Sequence, residues 1–250
     1  MSTCIIIPAR VNSRRIPNKP LVKISKKDFL LLRTYKKIIK KFPSDDVYIT
    51  TDSKRVVKSM RPYSNNLIII NKICLNGTER CSYALEKIKK KYKYCIIVSC
   101  DMPFLDSKII SFLKNKANKL KNFAGITVHG KITNKKVLSN KSIAKITLHK
   151  NNTIESISRS KITHQNKINF THHGLVLLKK KVLLNYTKIK NSSLQLKEDN
   201  EWLKLIENKF KIFSFLNNLI KSEINTEEDL KTYFPVKFKY LKNIKKIEYF

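Results

Sequence analysis

Short apolar runs that alternate with longer segments of helical period restrict this chain to one kind of architecture. The runs Cys4–Pro8, Val47–Thr51, Leu67–Ile70 and Tyr94–Ser99 are separated by segments at Phe29–Phe42, Ser53–Pro62 and Thr78–Lys91, the last with Ala84, Leu85 and Ile88 on one face. Strand and crossover helix in turn predict an α/β fold with a mainly parallel central sheet flanked by helices. A helix from Asp106 to about Leu120 and a strand over Phe123–Val128 continue the pattern, and the Lys/Asn/Ser-rich stretch 129–142 is expected to be a loop. Further strands are expected at Ile143–Leu148, Ile154–Ser158, Phe170–Leu178 and Lys211–Phe215, with helices over Leu194–Asn208 and from Thr226. No repeat and no long linker divides the chain, so a single domain over 1–235 is expected, followed by a basic tail at 236–250.

Composition bears on the partner. The chain carries 53 Lys+Arg against 18 Asp+Glu, a formal net charge of +35, and 42% of its residues are hydrophobic. That apolar fraction fills a core and excludes a disordered polycation. A polyanionic partner is the first thought such a charge raises. Only 8 of the basic residues are Arg, however, and the Lys are scattered from Lys36 to Lys246, as a general Lys, Asn and Ile bias produces. The 22 Phe and Tyr lie mostly within apolar runs rather than interleaved with Arg, which opposes the competing reading of a nucleic-acid-binding protein. Five cysteines without CxxC spacing read as reduced thiols. The start MSTCIIIPAR lacks the basic and long apolar regions of a signal peptide, and no apolar run approaches the ~18 residues of a membrane span, so a cytoplasmic protein is expected.

The strand Cys4–Pro8 runs straight into Ala9-Arg10-Val11-Asn12-Ser13-Arg14-Arg15-Ile16-Pro17-Asn18-Lys19-Pro20. In an open parallel sheet, ligands bind beyond the carboxyl ends of strands. Three Arg and one Lys in this loop suit the oxygens of a triphosphate, while Pro8, Pro17 and Pro20 reduce the entropy lost on ordering it. There is no Gly-rich GKS/GKT sequence, so P-loop ATPases and kinases are poor candidates.

The pattern P-A-R-x-x-S-x-R-x-P-x-K-P-L resembles the N-terminal signature of sugar nucleotidyltransferases of the cytidylyltransferase type, most closely the 3-deoxy-manno-octulosonate (Kdo) cytidylyltransferases. Later segments follow in the same order. Thr50-Thr51-Asp52 resembles an A-T-D-like strand end, Asn76-Gly77-Thr78-Glu79-Arg80 resembles S-G-T-E-R, and Val98-Ser99-Cys100-Asp101-Met102-Pro103 occupies the place of V-Q-G-D-E-P. Ala144-Lys145-Ile146, Ser158-Arg159-Ser160 and His172-His173-Gly174-Leu175 resemble V-K-V, S-R-A and H-L-G-I. The segment from Ser222 to Leu230 resembles G-V-D-T-P-E-D-L. Taken singly, Asp101 also fits a helix N-cap, Gly77 a turn, Glu79-Arg80 a surface pair and His172 a core histidine.

The resemblance implies a Rossmann-like nucleotidyltransferase fold with a smaller sugar-binding and dimerisation lobe within about 129–200, and a homodimer. It implies CTP and a 2-keto sugar acid as substrates, CMP-sugar and pyrophosphate as products, and a place in lipopolysaccharide or surface-glycan synthesis. It also implies catalytic roles for Arg10, Lys19 and Asp101, and nucleotide binding by Pro8, Ala9, Arg10, Ser13, Arg15, Lys19, Thr51 and Asp52. Sugar binding falls to Gly77, Thr78, Glu79, Arg80, Ser99, Arg159, His172 and Glu198, and Mg²⁺ to Asp101 with Asn225. The departures lie on the sugar and metal side: Ser99 stands for Gln, Met102 for Glu, Asn225 for Asp, and Gln195 for the first Glu of L-E-H-I-E-M-L-E. Another sugar acid, including one of acylneuraminate type, and a chain that has lost turnover therefore stay open.

Overall fold

A computed structural model describes residues 2–13, 15–160, 162, 168–219 and 223–235. Arg14 and the tail 236–250 lie outside them. The main sheet contains β1 (Thr3–Ala9), β2 (Val47–Thr51), β3 (Leu67–Ile69), β4 (Tyr94–Val98), β5 (Gly125–Lys131), β8 (Phe170–Lys179) and β9 (Ile212–Leu216) in the order β3-β2-β1-β4-β8-β5-β9. Only β8 runs against the others on this path. β6 (Lys145–Leu148) and β7 (Ile154–Ser158) form an antiparallel hairpin that branches off β8. The fold is α/β, as the alternation predicts.

The uninterrupted apolar run of β1 follows from burial on both faces. Ile5 and Ile7 join Ile49, Ile96 and Val98 in a core covered by α1 (Leu30–Ile39) and α4 (Lys108–Lys119). Cys4 and Ile6 point the other way and pack with Cys95, Ile97 and residues of α3 (Gly77–Lys87). α2 (Lys54–Met60) closes the β2–β3 crossover, and Ser53 Oγ caps it by accepting from Val56 N. All five cysteines are free thiols, and among the described residues no helix is long and apolar enough to cross a membrane.

Three expectations are corrected. The stretch 129–142 is not all loop: β5 continues to Lys131, and α5 (Lys135–Ser139) begins where Asn134 Oδ1 accepts from Lys136 N. The helix expected over Leu194–Asn208 is two, α7 (Ser193–Glu198) and α8 (Leu203–Glu207), because Asp199 turns left-handed at φ 46° and stops the first. Asp tolerates this conformation better than most residues. A short helix, α6 (Lys180–Leu184), directly follows β8 where none was expected.

The chain builds β1, β2 and β3 outward and then returns to lay β4 on the free side of β1. This reversal is the switch point at which open α/β sheets bind ligands. It brings the loop after β1 beside the residues after β4.

Candidate active site

A cleft of about 960 Å³ opens over that switch point, large enough for a nucleotide with a second small substrate. Pro8, Arg10, Ser13, Arg15, Lys19, Gly77, Arg80, Ser99, Asp101, Arg159, His172 and Asn225 all line it. Ala9, Thr51, Asp52, Thr78, Glu79 and Glu198 do not.

Backbone geometry shapes the loop after β1. Val11 O accepts from both Ser13 N and Asn18 N, and Asn18 adopts the left-handed conformation (φ 48°) that turns the chain into a short 3-10 helix over Lys19–Leu21. Lys19 is thereby aimed inward, and its Nζ donates to Asp101 Oδ2. Both side chains are nearly enclosed, at 10% and 12% exposure. Asp101 Oδ1 is buried and has no hydrogen-bond partner among the described residues.

Arg15 Nη1 and Arg159 Nη1 converge on one acceptor, Ser142 O, at 3.4 and 3.3 Å. Arg159 also donates from Nε to Glu198 O and from Nη2 to Asp199 O, carbonyls at the end of α7 where a cation is favoured. Burial and then the neighbouring Arg15 charge pull the Arg159 guanidinium below its ordinary range. Behind it, the wholly buried Lys145 donates to Asn140 O, Ile143 O and Arg159 O at 2.7, 2.8 and 2.6 Å.

Residues expected at the site but set back from the cleft hold its frame. Asp52 Oδ2 accepts from Arg80 Nη2 at 2.8 Å, and Arg80 Nη1 reaches Ile70 O, tying α3 to the ends of β2 and β3. Thr51 Oγ1 accepts from Ser53 N, which sets the turn into α2. Glu79 Oε2 accepts from Leu75 N, and Glu201 binds Thr78 through both N and Oγ1 at 3.1 and 2.6 Å. Glu198 accepts from Ser158 Oγ and Arg159 N.

The departures also find places. Met102 is fully buried in the core and takes no part in the cleft wall. Gln195 closes a capping box with Ser192 at the start of α7. Ser99 packs so tightly on Gly174 that a Cβ there would lie 2.4 Å from Ser99 Oγ, so glycine is required for the approach. Asp229 Oδ2 accepts from Asn225 N and Thr226 N, capping α9 (Glu227–Tyr233).

His172 sits edge-on to Trp202 with ring centroids 4.2 Å apart, and its buried Nδ1 is unpartnered among the described residues. Burial lowers it to about 3, and burial and then the His173 charge lower His129 to about 4. Both are neutral at pH 7, so below their unfolded value of 6.5 the unfolded chain takes up protons that the folded one refuses. Stability is therefore expected to be fully present above that value and to fall as pH drops toward 4, by on the order of 2 kcal/mol per histidine at pH 5. Urea midpoints at pH 7.5 and 5 test this, and equal midpoints would exclude it.

Glu201, Lys145, Glu223 and His173 are functional-site neighbours that the sequence motifs do not single out. The one signal for them is a charged residue inside an apolar strand, as at Lys145. Glu223 Oε1 accepts from Gly174 N at 2.6 Å and lies 3.5 Å from His173 Nδ1. Burial alone raises this carboxyl, but the His173 ring and the Gly174 amide outweigh it and hold it below its usual range.

Mg²⁺ can be weighed against these groups. Asp101 Oδ1 is an orphaned carboxylate oxygen in the cleft that Arg10, Arg15 and Lys19 also line, and Asn225 adds an amide to the same lining. The described residues contain no cluster of three or more His, Cys, Asp or Glu able to hold a metal alone. One carboxylate with room for phosphate and water is the donor set that Mg²⁺ accepts, so the residues fit the ion.

A family description of cytidylyltransferases matches residues 4–246. A 3-deoxy-manno-octulosonate cytidylyltransferase of Chloroherpeton thalassium is 30% identical over 240 residues, covering 92% of this chain and 95% of that one. Its counterpart in Protochlamydia amoebophila is 28% identical over 235 residues, covering 90% of each. Among solved structures, CMP:2-keto-3-deoxy-manno-octonic acid synthetase complexed with CTP superposes with a TM-score of 0.82 at 20% identity, covering 96% of this chain and all of that one.

Proposed function

The chain belongs to the cytidylyltransferase family, and from that premise we propose that it activates Kdo, or a closely related 2-keto sugar acid, with CTP. The observation that carries this reading is the meeting of Arg10, Arg15, Lys19 and Asp101 in one cleft at the switch point of the sheet. The anomeric hydroxyl of the sugar acid attacks the α-phosphorus of CTP, the bond to the bridging oxygen breaks, pyrophosphate departs and the hydroxyl proton is lost. Such a transfer needs positioning and charge neutralisation more than covalent chemistry.

In this reading Arg10, Arg15 and Lys19 bind the departing phosphates through charge-assisted hydrogen bonds, each worth about 1.5–3 kcal/mol. Lys19 gives up part of its contact with Asp101 as phosphate arrives. Arg159 receives the sugar carboxylate, and neutral His172 offers its ring to a sugar hydroxyl. Asp101 and the Asn225 amide would hold Mg²⁺, which when bound supplies Lewis-acid neutralisation of phosphate charge. The reading extends to a homodimer in the cytoplasm, with the segment within about 129–200 serving sugar binding and assembly.

The purified protein with CTP, Mg²⁺ and Kdo is expected to release one pyrophosphate for each CMP-sugar formed. A coupled phosphate assay over a panel of 2-keto sugar acids checks this. CTP binding without release from any sugar acid would refute the catalytic reading.

A further inference from the structure

Glu223 and His173 place an anion in the cleft wall that none of the roles above uses. Both line the cleft, with side chains 15% and 13% exposed. The residues that follow Glu223 are fixed without it: Ile224 N donates to Asp101 O at 3.0 Å, and Asn225 N donates to Asp229. The fold has no evident need of a carboxylate at this position. Its contacts are lopsided. Gly174 N and His173 Nδ1 both engage Oε1, while Oε2 carries no hydrogen bond among the described residues. An anionic oxygen facing a cleft with unused lone pairs is an acceptor awaiting a donor.

Charge selects that donor. Phosphate and carboxylate groups are repelled, which leaves neutral hydroxyl and amino donors. Position selects the substrate: Glu223 binds β8 at Gly174, on the far side of β4 from the loop after β1. His172 and Ser99 share this wall. The motifs given above have Leu where His173 stands and Gly where Glu223 stands, so acid and partner occur together in this chain, in the wall where Ser99 stands for Gln.

We propose that Glu223, held by His173 and the Gly174 amide, is a specificity-determining residue that accepts a hydrogen bond from a hydroxyl of the sugar acid. The inference rests on the cytidylyltransferase reading above. Its test is steady-state pyrophosphate release by wild type, Glu223→Ala, Glu223→Gln and His173→Leu, varying the sugar acid at saturating CTP and then the reverse, with melting curves for each protein. Glu223→Ala is expected to lower kcat/KM for the sugar acid about 10–100-fold while KM for CTP stays within about twofold. Glu223→Gln, which keeps an acceptor for Gly174 N and melts as wild type does, recovers part of the loss, and His173→Leu shows a smaller loss of the same kind. Among analogues each lacking one hydroxyl, wild type loses the same factor on one of them, and on that analogue Glu223→Ala and wild type perform alike.

Unchanged sugar kinetics in Glu223→Ala overturn the proposal. So do equal losses for CTP and sugar, or a deficit in Glu223→Ala that persists on every deoxy analogue. A wild type that binds CTP but turns over no keto sugar acid overturns the parent reading and this one with it, whereas active wild type with indifferent variants overturns this one alone.

Discussion

Asp101→Asn is expected to lower kcat for pyrophosphate release about a hundredfold to a thousandfold, the range found when one preorganised electrostatic group is removed from a transition state. The change keeps the shape of the side chain and removes its charge. That charge has two assigned uses: Oδ2 holds Lys19 Nζ, and Oδ1 is the orphaned oxygen available to Mg²⁺. An amide is a weaker ligand for a hard dication and a weaker partner for an enclosed ammonium. KM for CTP should move much less than kcat, because the phosphates keep Arg10, Arg15 and Lys19. Titration of Mg²⁺ against rate should show a right-shifted curve. Undiminished turnover in this variant would remove Asp101 from the metal role.

Lys145→Met should produce the largest loss of stability. Its ammonium is the common donor to three backbone carbonyls and has no carboxylate partner in those bonds. Methionine fills the space but takes the ammonium from all three carbonyls, of which Asn140 O keeps a second donor in Ile143 N, and each lost bond costs about 1–3 kcal/mol, offset in part because a buried charge is also removed. A net loss of about 3 kcal/mol lowers Tm by roughly 6–12 °C for a chain of this size. Function should suffer beyond stability, since Lys145 fixes the 140–143 segment, and Ser142 O in that segment serves both Arg15 and Arg159. Melting followed by circular dichroism decides the matter, and a Tm within about two degrees of wild type would show that water or a rearranged loop replaces the pin.

The parts of the molecule legible in sequence are those governed by local periodicity. β2 begins and ends at the expected residues, and β1 and β4 differ from expectation by a residue or so, because a strand buried on both faces is written as a short apolar run. The order of the strands, and with it the placing of β4 beside β1, is given by the structure rather than by the runs themselves. What sequence did not yield depends on long-range contacts. Nothing near Lys145 announces three carbonyl partners, and Glu223 lies 50 residues from the His173 it meets. Asp199, which divides α7 from α8, shows its left-handed turn only after folding, since the apolar spacing of Leu194, Trp202 and Leu205 runs through it. Met102 reads as a lost polar contact in the motif, whereas its side chain belongs to the core.

The shared acceptor beneath Arg15 and Arg159 has an electrostatic consequence. A carbonyl has lone pairs for both guanidiniums but only a partial charge to offset two full ones. Their mutual repulsion therefore remains, and it adds to the larger effect of burial in loosening the proton of Arg159. A carboxylate or phosphate entering between them gains its own attraction and also releases this tension. Two cations set against one neutral acceptor thus make this corner of the cleft selective for negative charge, with a repulsion between neighbours that an anion relieves as it binds.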